Sequence, residues 1–224
     1  GGRAGPLNYT DIPKGPLLQR HVADLYVFPN RLSAIRISGA ILADWLEMSA
    51  LCICTHDPDL RTPQPLLNRA YPMYNFDVIS GLSYEIDLRS PARFSPDGRL
   101  RDPVARRIRN LRWNGAAVAA DQPFVAAVNT YRAGGGGHFP GLAAAPVVYD
   151  SDTTVVNCIL QDLKTPAPHT PPWPDPWQLC PLGGAQVSFE TGPGAMAHLD
   201  DIAGYNPVPM GVNDRGFLTL HLTL

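Results

Sequence analysis

The chain has 224 residues, 45% of them hydrophobic and 17% charged, enough for one large domain or a domain with an appendage. A formal net charge of −2 and a pI near 6.3 exclude the basic surface that polymeric nucleic acid requires, so a nucleotide partner would be small. Apolar stretches are broken every few residues by charge or proline, and no charged start leads into an apolar run, so neither a membrane span nor a signal peptide is expected.

The opening Gly1-Gly2-Arg3 lacks an initiator methionine and reads as a chain cut from something longer. Twenty-four prolines and twenty glycines imply many turns and few long helices, the profile of a β-rich α+β domain. Residues 23–37 predict two strands, with Leu25, Val27, Leu32, Ile35 and Ile37 as the apolar positions and Pro29-Asn30 as the turn. Residues 40–50 follow helical spacing, which puts Trp45 and Met48 in the core. A long irregular loop covers 52–73. A strand pair over 76–88 is predicted to turn near Ser80-Gly81, and this would make Tyr74 and Phe76 packing residues.

Residues 108–113 before Asn114-Gly115 give a hairpin signal, and 122–129 a buried strand ending at Asn129-Thr130-Tyr131-Arg132 and four glycines. A helix over 152–164 is expected, capped by Ser151 or Asp152, with Val155, Val156, Ile159, Leu160 and Leu163 inside. The proline-rich run 165–176 is a stiff connector. Beyond it, 186–190 and 216–224 read as strands. The organisation expected is a domain over 1–180 with a C-terminal β-strand extension, 181–224, packed on it.

The four cysteines (Cys52, Cys54, Cys158, Cys180) leave buried thiols, one disulfide or, with less support from spacing, a zinc site open. The six histidines are scattered. His56 with Asp57 and Asp59 is the best local constellation, and its Pro/Asp-rich loop reads as solvated. No Asp-x-His, no Gly-Asn-His-Asp/Glu, no Gly-x-Ser-x-Gly elbow and no Walker-type phosphate loop is present, so no metal and no catalytic residue is assigned in this chain.

Five phrases carry a more specific signal: GGRAGPLNYTDIPKGP at 1–16, VADLYVFPNRL at 22–32, ISGAILADWLEMSA at 37–50, YNFDVISGLSYEIDL at 74–88 and NTYRAGGG at 129–136. Together they resemble the C-terminal domain of the 5′-nucleotidase family, on the side of the bacterial 2′,3′-cyclic-nucleotide 2′-phosphodiesterase/3′-nucleotidases. The resemblance covers residues 1–180 well and the tail more loosely. It implies layered mixed and antiparallel sheets with few helices. It also implies a role in recognising a nucleotide or nucleoside, a periplasmic or cell-surface location, and an N-terminal metallophosphoesterase domain of the same polypeptide that holds the divalent metal ions.

By that resemblance, Phe28 and Tyr131 stack on the two faces of a base, Asn30 bonds its edge, and Arg3 contacts the phosphate or ribose side. The run beginning Gly134-Gly135 lets backbone approach the ligand. The chemistry suits these residue types. A base offers two π-faces, each aromatic stack is worth about 1–3 kcal/mol, an amide both donates and accepts, and a guanidinium fork pairs with phosphate oxygens. The family's 5′-nucleotidases carry an Asp after these glycines where this chain has about Gly137, which puts that ribose contact in doubt. On pattern alone Phe28 and Tyr131 have packing roles as rivals and Arg3 is a terminal charge. A stand-alone binding or scaffold module without a catalytic partner is the alternative function.

Overall fold

A computed structural model describes residue 12, residues 14–165 and residues 175–224. Arg3 and most of the predicted proline-rich connector lie outside the described residues. Where alternation predicts a first strand, the chain forms a short helix, α1 (Gln19–Leu25), whose only buried residue is Val22. Leu25 and Val27, the apolar positions of the expected strand, are exposed instead. Pro29 has no N–H to give a ladder, so pairing begins at β1 (Arg31–Ser38).

The strand β1 passes directly into α2 (Gly39–Ser49), the predicted helix. Ser38 caps it by accepting from the Ile41 N–H at 3.3 Å. Its inner face buries Leu42, Trp45, Leu46 and Met48, at the i, i+3, i+4 spacing that the sequence shows. The following loop is irregular as expected, with only a two-residue strand, β2 (Gln64–Pro65), and a 3-10 turn at Met73–Asn75.

Of the strand pair predicted over 76–88, only β3 (Leu82–Ile86) forms. The upstream half is held differently: the Ser49 hydroxyl donates to the Asp77 carbonyl at 2.7 Å, tying this segment to α2 rather than to a neighbouring strand. The hairpin of β4 (Ile108–Trp113) and β5 (Ala116–Ala117) turns on Asn114 and Gly115 at φ 49° and 77°, the left-handed pair that a two-residue turn requires.

Next come β6 (Pro123–Asn129), α3 (Thr130–Ala133), β7 (Val147–Thr154) and α4 (Val155–Asp162). The strand β6 is not buried as predicted: it is the edge of its sheet and Val125 is 64% exposed. The helix predicted from 152 starts three residues later. Its cap is Thr154, and Arg31 pairs with Thr154 in the ladder, so the β-branched pair Thr153-Thr154 extends β7 first. None of the residues of α4 is fully buried. The tail supplies β8 (Trp177–Leu179), β9 (Gln186–Thr191), a kinked 3-10 segment at Pro193–Tyr205, β10 (Val208–Val212) and β11 (Leu218–Thr223). Neither the 3-10 segment nor β10 was legible in the pattern.

The described residues form three small sheets, in the orders β6-β1-β7, β10-β11-β9-β2 and β5-β4-β3-β8. This is the layered, mixed and largely antiparallel α+β arrangement expected, with parallel pairing among the described residues confined to β2 on β9 and β3 on β8. One core runs through it, from Ile35 and Ile37 of β1 and the apolar face of α2 to Ile86, Leu88, Leu142 and Leu182. A second cluster of Val187, Leu218, Leu220 and Leu222 closes the tail sheet, and Leu66 and Leu224 pack against both.

All four cysteines are free thiols, two of them buried. Burial pushes the Cys52 thiol up to about 12, so it is a packing group. His56 corrects the sequence reading: it is 2% exposed rather than solvated, while Asp57 and Asp59 of the same loop form a local turn through a 2.9 Å bond from the Asp59 N–H to Asp57 Oδ1.

Candidate functional site

The antiparallel register of β1 and β6 sets the site. Leu32 lies opposite Asn129, so the turn just before β1 and the start of α3 just after β6 emerge at the same end of one sheet. The two segments are bonded there: the Arg31 N–H donates to Thr130 Oγ1 at 3.2 Å. Tyr26, four positions before Asn30 and 103 before Asn129, joins them, its hydroxyl accepting from Asn129 Nδ2 at 2.8 Å and from Asn30 Nδ2 at 3.2 Å. With both lone pairs used, the Tyr26 proton points elsewhere, and Asn30 keeps its Oδ1 as an acceptor.

An open cleft of about 2150 Å³ lies at this end, where all three sheets contribute wall residues. Phe28, Asn30 and Tyr131 all line it. Phe28 is 48% and Tyr131 44% exposed, whereas packing aromatics of this fold such as Trp45, Tyr71 and Phe139 are 3–4% exposed. Core packing is therefore not what either ring does. Tyr74, read from sequence as packing, also lines the cleft and is exposed, because it sits in a 3-10 turn and not in a strand. Phe76 does pack, edge-on against Trp177 at 5.2 Å.

The support beneath Tyr131 is built from the residue beside it. Asn129 caps α3 by accepting from the Arg132 N–H at 2.8 Å. The Arg132 guanidinium is buried and meets the Asp77 carboxylate with two nitrogens, Nη2 to Oδ1 at 2.8 Å and Nε to Oδ2 at 2.7 Å. It also donates to the Gly136 carbonyl and lies 4.2 Å from the centroid of the Phe139 ring. Trp45 Nε1 donates to the same Asp77 carboxylate at 2.8 Å. Sequence reasoning passed over Tyr26, Asp77 and Arg132, although all three stand inside the quoted phrases at 22–32, 74–88 and 129–136. What it lacked was the pairing of Asp77 with Arg132 across 55 positions.

Gly134 and Gly135 stand beside the cleft and do not line it. Gly134 ends α3, its N–H bonding the Thr130 carbonyl at 3.0 Å. Gly135 has φ 86°, and a Cβ there would lie 2.7 Å from Ala143. The close approach that the run allows is made to the Tyr131 ring: a Cβ on Gly136 would sit 2.5 Å from it. Among the described residues no group of three or more His, Cys, Asp and Glu side chains is placed to hold a metal ion, and no helix is long and apolar enough to cross a membrane.

Comparison with known proteins gives the chain a family. The model described as 5′-nucleotidase, C-terminal domain, matches residues 3–144, more than half of the chain. The chain is 35% identical, over 85% of its length, to a trifunctional nucleotide phosphoesterase protein of Bacillus subtilis, of which that match covers 13%. It is 34% identical over its full length to the 2′,3′-cyclic-nucleotide 2′-phosphodiesterase/3′-nucleotidases of Haemophilus influenzae and Salmonella typhimurium, spanning 36% of each. A crystal structure reported as a 5′-nucleotidase from Staphylococcus aureus in complex with alpha-ketoglutarate superimposes with a TM-score of 0.59 at 25% identity, covering 71% of this chain and 29% of that one. A 5′-nucleotidase precursor from Thermus thermophilus shares the fold, with a TM-score of 0.52 at 19% identity over 75% of this chain and 29% of that one. The chain thus belongs to the 5′-nucleotidase C-terminal domain family.

Proposed function

We propose that this chain is the nucleoside-recognising part of a larger phosphoesterase, in which the base is stacked between Phe28 and Tyr131 and its edge is read by Asn30. The observation that carries this reading is the convergence of two half-exposed aromatic rings, remote in sequence, on one cleft with an amide whose oxygen is unused. Each stacked face is worth about 1–3 kcal/mol. Arg3 is the proposed contact to the phosphate or ribose, and Gly134 and Gly135 set the turn behind Tyr131.

The relatives matched over the whole chain are nearly three times its length and are named for phosphodiester and nucleotide hydrolysis. We therefore assign the chemistry, cleavage of 2′,3′-cyclic nucleotides and 3′-nucleotides in nucleotide breakdown, to an N-terminal metallophosphoesterase domain that binds the divalent metal ions. This chain delivers the nucleoside to it. A periplasmic or cell-surface setting goes with that role.

Calorimetric titration with adenosine and 3′-AMP tests the reading. Binding to the wild type is expected to weaken at least tenfold in Phe28→Ala and in Tyr131→Ala. Binding that survives unchanged in both variants rejects the stack.

A further inference from the structure

The same cleft has a second polar end that the aromatic pair does not use. Glu190, on β9 of the tail sheet, is paired with two guanidinium groups at once, Arg69 from the loop after β2 and Arg215 from the turn between β10 and β11. Asn213 Nδ2 adds a third donor to Glu190 at 2.9 Å. All three charged side chains line the cleft.

The turn carrying Arg215 is organised in advance. Asn213 Oδ1 accepts from the N–H groups of Arg215 at 3.1 Å and Phe217 at 3.0 Å, and the Arg215 guanidinium stacks 5.4 Å from the Phe217 ring. One carboxylate is therefore shared by three donors, while each guanidinium has five N–H groups and spends only part of them on it. The arginine side chains remain 60% and 48% exposed, against 24% for Glu190.

Charge in the cleft points the same way. Its ionised lining consists of Arg69, Arg132 and Arg215 against Asp77 and Glu190. Arg132 and Asp77 neutralise each other in a bidentate pair, so the surplus, three positive against two negative, falls on the Arg69–Arg215 pair. An uncompensated positive charge facing a concave surface, in a chain whose formal net charge is −2, favours an anion there.

We propose that Arg69 and Arg215 bind a phosphate group in this cleft, where the Glu190 carboxylate competes with it for their N–H groups. Planar forks that present several N–H donors suit a tetrahedral dianion better than a single carboxylate does. The site stands on the tail sheet and needs neither aromatic ring.

Titration with inorganic phosphate near neutral pH, followed through the arginine Nε–H resonances, is the test. Arg69 and Arg215 signals are expected to move, and Arg69→Gln and Arg215→Gln each to weaken phosphate binding about tenfold, the loss of charge-assisted hydrogen bonds. Glu190→Gln removes the competing carboxylate and is expected to tighten phosphate binding several-fold, with an opposite, unfavourable effect on thermal stability. If the three residues are only a clamp for the turn, Glu190→Gln lowers stability and leaves phosphate affinity unchanged, and the proposal fails. Failure is equally established if phosphate moves no arginine signal in the wild type.

Adenosine, which has no phosphate, separates this from the stacking reading. Its binding is expected to be the same in the wild type and in the arginine variants; adenosine binding lost in the arginine variants would mean that they act through cleft shape, and overturns the site. Phosphate binding without adenosine binding leaves the site standing and removes the stack. Competition between 3′-AMP and inorganic phosphate identifies the nucleotide's own phosphate as the source, and simultaneous binding identifies a separate anion.

Discussion

Two buried groups, Arg132 and His56, shape the residue-scale behaviour. Arg132 is enclosed, and its partner Asp77 also accepts from Trp45, so removing the guanidinium strands a carboxylate in a half-buried position. Arg132→Ala is expected to lower stability by about 3–5 kcal/mol, as a difference in urea midpoint would report. His56 is buried as the neutral ring. Burial pushes its pKa below the ordinary 6.5, and the Arg107 charge adds to that, while the Cys54 carbonyl 3.0 Å from Nδ1 opposes it. The backbone at Gln64 and Pro65 opposes it too, and Nε2 has no hydrogen-bond partner.

The unfolded chain therefore takes up a proton near pH 6.5 that the folded one resists. The stabilising effect of the neutral ring is complete above that pH and is lost as the pH falls through the depressed folded pKa. Unfolding free energies measured at about pH 7.5 and about pH 5.5 should show a loss on acidification that is smaller in His56→Asn. A carboxylate adds to the same trend further down: hydrogen bonds from Arg89 hold Asp87 below its usual range, and this contribution disappears as Asp87 is protonated.

At the scale of elements, two caps hold the turns that aim the site. Ser38 satisfies the first free N–H of α2, and Ser38→Ala should cost about 1 kcal/mol in thermal or urea unfolding without touching the cleft. Asn129 does more: it caps α3 and, through Tyr26, ties the end of β6 to the turn before β1. Asn129→Ala is expected to lose about 1–2 kcal/mol of stability and, unlike Ser38→Ala, to weaken adenosine binding as well, because Tyr131 is the second residue of the helix it caps. Gly136→Ala isolates the ring itself. Its Cβ would overlap Tyr131, so adenosine affinity should fall more than stability does, a split that calorimetry and unfolding read together.

For the molecule as a whole, the question is whether the tail after residue 180 is an appendage or part of the core. Leu182 and Ala185 belong to the main core, β9 pairs with β2, and Leu66 and Leu224 touch both clusters, so the tail sheet is stitched to the rest at several points. A single cooperative transition follows. Leu220→Ala, at the centre of the tail cluster, should shift fluorescence and circular-dichroism unfolding curves together by about 2–5 kcal/mol; a tail that melts separately would split them.

The sequence by itself determined a good part of this. Helical spacing over 40–50, the Asn114-Gly115 hairpin and the strands near 123, 186 and 218 are local patterns, and local patterns survive in the fold because propensity, turn chemistry and burial agree there. The family was likewise legible from whole phrases, and with it the candidates Phe28, Asn30 and Tyr131. The tertiary structure decided what depends on partners distant in sequence. Apolar Leu25 and Val27 left the expected strand for the cleft because Pro29 delays the ladder, and Asp77 left its expected strand because Ser49, Trp45 and Arg132 claim it. His56 was enclosed by a loop whose composition reads as solvated. The Arg69–Glu190–Arg215 cluster joins three segments that no spacing rule links, since charge pairing between sheets is set by packing and not by period.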